Sequence, residues 1–265
     1  MSRCATSTEC DWVDNAKIEW MTLHASDALI LRTWPVHEAD LIVSFFTRDY
    51  GKVTGVAKAA LKSRKRFGGA LEPMTCARAF FAERPRQEFV RLDQLELLRS
   101  PLATPIDYPR AAVLSFYAEV VEEALPDHDP HETVFRLLIA VLEQTTVAQP
   151  WMPLTYFSLW MTRLMGWLPD LTCCTLCGER FAPGEASFHP QSDGLFCPLH
   201  RQGAGTLLSA DTWLLAQRIL REPVSAFTAE PWPKRRAHDL RRFTQQSLER
   251  HLERRLRSAE ALNRI

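Results

Sequence analysis

The segment that most restricts how this chain can fold is Cys174-Thr-Leu-Cys177-Gly178 followed by Cys197-Pro-Leu-His200. Each half is a metal knuckle, with two ligands three positions apart and a Gly or Pro easing the tight turn. Two knuckles across a loop of ~15–20 residues supply the tetrahedral N/S set that zinc prefers. The loop between them contains Pro183, Gly184, Pro190 and Gly194, as the short hairpins of a zinc ribbon would. The competing reading is a chance cluster of buried thiols. Cys173 can stand in for Cys174, and His189 is a weaker substitute for His200; the two-residue gap favours Cys174, Cys177, Cys197 and His200. Four protein ligands close the site, whereas a catalytic zinc keeps one position for water. One structural zinc ion is therefore expected. Residues 171–203 look poor in apolar side chains and are expected to unfold locally without metal. Seven cysteines, an odd number, in a chain with no apolar leader fit a reducing cytoplasm better than disulfides.

The rest of the chain divides by periodicity. Residues 27–34, 38–48, 51–57, 73–83 and 87–98 read as short strands rich in Leu, Ile, Val, Phe and Thr, with Asp49-Tyr50-Gly51 and the tetrapeptide 84–87 as turns. Five such strands predict a small OB-fold β-barrel. Beyond Pro101 the spacing changes to helical, with apolar faces over 109–125, 131–144 and 153–166, and further helices at 209–221 and 234–258. The expected class is α+β. An extension at 1–23 precedes an OB domain at 24–100. A helical domain in two parts (101–170 and 204–265) then carries the zinc ribbon at 171–203. No run approaches the ~20 apolar residues of a membrane span.

Formal charge balances at 32 basic and 32 acidic residues, yet the two signs are segregated. Residues 51–71 hold Lys52, Lys58, Lys62, Arg64, Lys65 and Arg66 with no acid, while 101–170 carry nine Asp or Glu against three Arg. The stretch 234–257 is basic again. Phosphates attract a loop such as Lys58–Gly69 without regard to base sequence; otherwise the loop is a solvated turn. Phe67 in the loop, and Phe45, Phe46, Phe80, Phe81 and Phe89 on strands, are either base-stacking residues or barrel core. Phosphate-binding loops, dinucleotide fingerprints, nucleophile elbows and His-Glu-x-x-His pairs do not occur in the sequence, so an enzyme is not expected.

The stretch ALILRTWPVHEADLIVSFFTRDYGKVTGVAKAALKSRKR, the block LMGWLPDLTCCTLCG and the segment YAEVVEEALPDHDPHETVFRLLIAVLE resemble the RecO family of bacterial recombination mediators over about residues 24–257. Two departures stand out. Ala59-Ala60 replaces a glycine after the Ala-Lys step, and His200 stands where a cysteine is usual. The resemblance implies a protein that binds and anneals single-stranded DNA, with double-stranded DNA also a partner. It implies displacement of single-stranded DNA-binding protein and, with RecR, loading of RecA. An RNA-binding OB-and-ribbon factor is the alternative. The resemblance makes Lys52, Lys58, Lys62, Arg64, Lys65 and Arg66 candidate phosphate contacts, extended by Arg235, Arg236, Arg241 and Arg242. It also places a docking groove for the acidic tail of single-stranded DNA-binding protein in the helical body, beside basic residues.

Overall fold

The computed structural model describes residues 22–83, 87–203 and 205–265. The expected extension lies outside these residues except for Thr22 and Leu23, which already belong to the first strand. The expected turn at 84–87 also lies outside them, apart from Gln87.

Strands β1 (Thr22–Pro35), β2 (Leu41–Thr47), β3 (Gly51–Ala57), β4 (Cys76–Glu83) and β5 (Val90–Arg99) close into a barrel in the order β1-β2-β3-β5-β4. Every pairing is antiparallel except β3 with β5, which run parallel through Gly55–Val90 and Val56–Arg91. That single parallel seam requires a long connection from β3 to β4, and residues 58–75 provide it. Alternation points Ile30, Val43, Phe45, Val53, Phe81 and Leu92 inward to a common core. Burying each such side chain stabilises the barrel by roughly 1.5–3 kcal/mol.

The outer wall is divided. Leu29, Leu31 and Phe46 face outward and join the core of the helical body. Phe46 packs on Phe135 at 5.8 Å, and Ser44 donates to a Glu122 carboxylate oxygen at 2.6 Å. Gly51 sits at φ 70° where a Cβ would overlap the backbone of Asp129, so only glycine allows this approach.

The body consists of α2 (Tyr108–Ala124), α3 (Glu132–Gln144), α4 (Trp151–Leu164), α5 (Ala210–Ile219), α6 (His238–His251) and α7 (Arg257–Arg264), following the short α1 (Arg64–Phe67) of the barrel connection. Asp107 caps α2 by accepting from the Arg110 amide at 2.9 Å. The single helix expected over 234–258 is two. Ala237 at φ 54° precedes α6, and Glu253 at φ 53° follows it, so the chain turns before α7 begins. No helix of the described residues is long and apolar enough to cross a membrane.

The segment between α4 and α5 forms a small ribbon with a two-stranded sheet, β6 (Ser187–Phe188) and β7 (Thr206–Leu207). Its expected poverty in apolar contacts is corrected. Leu171, Phe181, Phe188 and Leu195 are buried in the same core as the helices. Phe188 packs on Phe243 of α6 at 5.3 Å, and the Trp213 indole of α5 donates to the Leu171 carbonyl at 2.7 Å.

Candidate metal centre and nucleic-acid interface

The two knuckles meet. The donor atoms of Cys174, Cys177, Cys197 and His200 all lie within 4.8 Å of one another. Cys177 Sγ is 3.9 Å from Cys197 Sγ, and His200 Nδ1 is 3.9 Å from Cys174 Sγ and 3.3 Å from Cys197 Sγ. Donors at metal distances of ~2.1–2.3 Å around a tetrahedral centre stand roughly 3.5–3.8 Å apart, so the four fit a single ion. Their register is set by backbone. The Thr175 amide donates to the Leu195 carbonyl at 2.9 Å, and the Leu195 amide donates to Thr175 Oγ1 at 3.2 Å. Gly194, at φ 105°, leaves room for the Thr175 side chain. Burial disfavours the Cys174 thiolate, but backbone amides of Cys197, Cys177 and Leu176 outweigh it and bring the thiol down to about 6. A thiol inclined to ionise is suited to ligation.

The substitutes lie elsewhere. Cys173 Sγ donates to the Asp170 carboxylate at 3.3 Å, and His189 Nδ1 accepts from the Gln191 amide at 3.3 Å. Neither belongs to the cluster.

The residues of the expected DNA track separate into two groups. Lys58, Lys62, Arg64 and Lys65 stand exposed on the connection between β3 and β4. This connection is no open loop. It holds a 3-10 turn at Ala60–Lys62 and the single helical turn α1. Ala59 adopts φ 51°, a conformation that suits the glycine expected by resemblance. Its amide is held by the Asp40 carboxylate at 2.6 Å, and the Leu61 amide donates to the Ala39 carbonyl at 3.1 Å. The β1–β2 loop thereby braces the cationic turn. Arg66 folds back instead of reaching out. Its guanidinium donates to the Lys58 carbonyl at 2.6 Å and to Ser63 Oγ at 3.0 Å.

Phe67, Lys52, Arg236 and Arg241 are corrected as candidate contacts. Phe67 is 1% exposed and plugs the barrel core, so no base can stack on it. Phe45, Phe46 and Phe81 are likewise core. The Lys52 side chain is 13% exposed, and its Nζ donates to the Glu122 carbonyl at 2.5 Å and lies 3.4 Å from Asp127. It joins barrel to body. Arg241 donates to Thr155 Oγ1 at 2.9 Å, to the Arg236 carbonyl at 2.7 Å and to the Lys234 carbonyl. Burial lowers its pKa to about 10. Arg236 pairs with Glu230 and lies over the Trp232 ring at 4.6 Å. Arg235 and Arg242 remain exposed.

A groove of about 410 Å³ lies beside this second basic region, with Phe116, Trp151 and Leu154 on its floor and Lys234, Arg241 and Arg242 among its lining. The Lys234 ammonium is 5.6 Å from the Trp151 ring. Lys234 opens the run Lys234-Arg235-Arg236, and nothing in that run shows which cation faces an aromatic floor.

Fold and site together define a class: an OB-barrel protein with a cationic β3–β4 connection, joined to a helical body that bears a Cys3His group able to hold a metal ion. Residues 21–101 match the family model described as Recombination protein O N terminal, and residues 106–260 match Recombination protein O C terminal. The chain is 50% identical over 243 residues to the DNA repair protein RecO of Koribacter versatilis (strain Ellin345), covering 92% of this chain and 99% of that protein. It is 32% identical over 240 residues to the DNA repair protein RecO of Anaeromyxobacter sp. (strain K), covering 89% of this chain and 94% of that protein. The chain belongs to the RecO family of DNA repair proteins.

Proposed function

We propose that this protein is a recombination mediator that holds single-stranded DNA on its barrel, anneals complementary strands and, with RecR, helps load RecA onto DNA covered by single-stranded DNA-binding protein. The observation that carries the reading is the cluster of Lys58, Lys62, Arg64 and Lys65, exposed on a braced turn at one side of an OB barrel, in a chain of this family. Cations held by secondary structure grip phosphate with less loss of freedom than cations on a mobile loop. Double-stranded DNA presents the same phosphates and is a second ligand of the same turn. The protein works in the cytoplasm at the nucleoid and carries out no turnover chemistry.

The Cys3His cluster holds one zinc ion in a structural role. With four protein donors it leaves no position for a substrate, and the ion supplies cross-linking alone. The groove over Trp151 receives the acidic tail of single-stranded DNA-binding protein: Lys234 and Arg242 meet its carboxylates, and the aromatic floor takes an apolar side chain. The contact with RecA is indirect.

The test is annealing of complementary DNA oligonucleotides, with RNA oligonucleotides alongside. The wild-type protein accelerates the DNA reaction. Changing Lys58, Lys62, Arg64 and Lys65 together to Ala weakens single-strand binding at every sequence and flattens the salt slope by up to ~0.7 per lost contact. An unchanged slope removes the turn from the interface; tight RNA binding without DNA annealing removes the mediator.

A further inference from the structure

The outer barrel wall above the helical body carries an unusual row. Trp34 of β1 lies opposite Ile42 of β2, Ile42 opposite Val56 of β3, and Val56 opposite Arg91 of β5. Val43, Ala57 and Val90 beside the last three are barrel core, so alternation turns Ile42, Val56 and Arg91 outward, and the register shift between Ile30 and Arg32 sets Trp34, paired with Ile42, on the same outer face. All four are half-buried, neither sealed by the body nor fully in water. A wall facing only solvent reads polar at such positions, as at the exposed outward pair Arg78–Glu96 on β4 and β5. Here Trp, Ile and Val take their place.

Charge bounds this apolar row on each side. Arg32 lies over the Trp34 ring at 4.9 Å. Beyond it, toward the body, a cavity of about 470 Å³ is lined by Arg32, Arg254 and Arg257 together with Glu119, Glu122 and Glu123, and Arg254 pairs with Glu123. On the other side, Lys58 follows Val56 by two residues and opens the cationic turn, from which Leu61 projects, 61% exposed. At ~4.8 Å between strands the four positions span about 14 Å, a few of the ~4–16 nucleotides an OB barrel covers.

We propose that Trp34 is the stacking platform for the bases of an unpaired DNA strand, which crosses the barrel along Trp34, Ile42 and Val56 while its phosphates follow Lys58, Lys62, Arg64 and Lys65. This rests on the single-strand-binding reading above and adds the base-contacting residue that the buried Phe67 cannot supply. Stacking needs a ring and no hydrogen-bond code, so the platform accepts any base.

The experiment is fluorescence anisotropy with a labelled oligothymidylate and with a matched oligonucleotide containing abasic sites, across a salt series. Full-length wild-type, Trp34→Ala, Trp34→Leu and Trp34→Phe proteins are compared, each checked by thermal melting. Trp34→Ala weakens oligothymidylate binding by about 5- to 150-fold, and Trp34→Phe retains most of the affinity. The salt slope stays at its wild-type value. Abasic sites weaken the wild-type complex and leave the Trp34→Ala complex little changed. Should Trp34→Ala lower the melting temperature, Trp34→Leu, which keeps apolar bulk without a ring, is read in the same way. Equal affinity for wild type and variant, or an equal abasic penalty in both, overturns the stacking assignment while leaving the cationic turn intact. If wild-type protein fails to bind oligothymidylate at low salt, the mediator reading and this inference fall together.

Discussion

Replacing Lys52 with Met separates the two roles this side chain can have. The Met stem fills the same space, so the change removes the ammonium and little else. Its Nζ is the donor to the Glu122 carbonyl at 2.5 Å. Asp127 lies within 3.4 Å but is 63% exposed, so that pair contributes little once water screens it. The cost is then mainly one carbonyl left without its donor at the barrel–body junction, about 1–2 kcal/mol. For a chain of this size that corresponds to a fall in melting temperature of roughly 2–8 °C. Differential scanning fluorimetry reads the stability, and anisotropy with oligothymidylate across a salt series reads the phosphate contacts. The expected result is a lowered melting temperature with the salt slope unchanged. A slope reduced by ~0.7 with full thermal stability would refute the reasoning, because it is the signature of a lost phosphate contact.

Two further perturbations follow from the same junction and from the ribbon. Burial raises the Glu122 pKa above its ordinary value of 4.5, against the lowering effects of Ser44 and Lys52. The folded state therefore binds this proton more tightly than the unfolded chain, so the group disfavours folding as pH rises through and above that value. Glu122→Gln, which can still accept from Ser44, should raise stability at pH 7 relative to wild type, with the difference shrinking toward pH 4 in parallel melts; a constant difference across that range contradicts the assignment. Cys177→Ser should release stoichiometric zinc, measured by a colorimetric chelator, and lower the melting temperature of the body. Zinc retained at one equivalent would show a different ligand set.

Much of this architecture could be read from residue order because its signals are local. Alternation in Gly51–Ala57 and the turn before it mark β3 to the residue, and Cys-x-x-Cys with Cys-x-x-His brings four donors together whatever lies between. Strand edges moved where local pattern and pairing disagree. Thr22 and Leu23 join β1 because β4 extends to Glu83 and offers them partners, information held sixty residues away. Phe67 and Lys52 misled for one reason: composition shows that a side chain is aromatic or cationic, whereas its direction is decided by the fold. Phe67 turns inward because α1 winds it toward the barrel mouth, and Lys52 turns to the body because its neighbours Phe46 and Gly51 bring α2 and α3 against that wall. The break near Glu253 carries no Pro or Gly, so the separation of α6 from α7 leaves no mark in sequence.

The ribbon hangs between α4 and α5 on two strands of chain, yet Leu171, Phe181, Phe188 and Leu195 are sunk among the helices, and Arg250 of α6 reaches out to the Pro190 carbonyl and Asp193. An insertion that shares its host's interior cannot come loose alone. Loss of an ion held by the four donors would therefore loosen the ribbon and the helices around it together, as one unit.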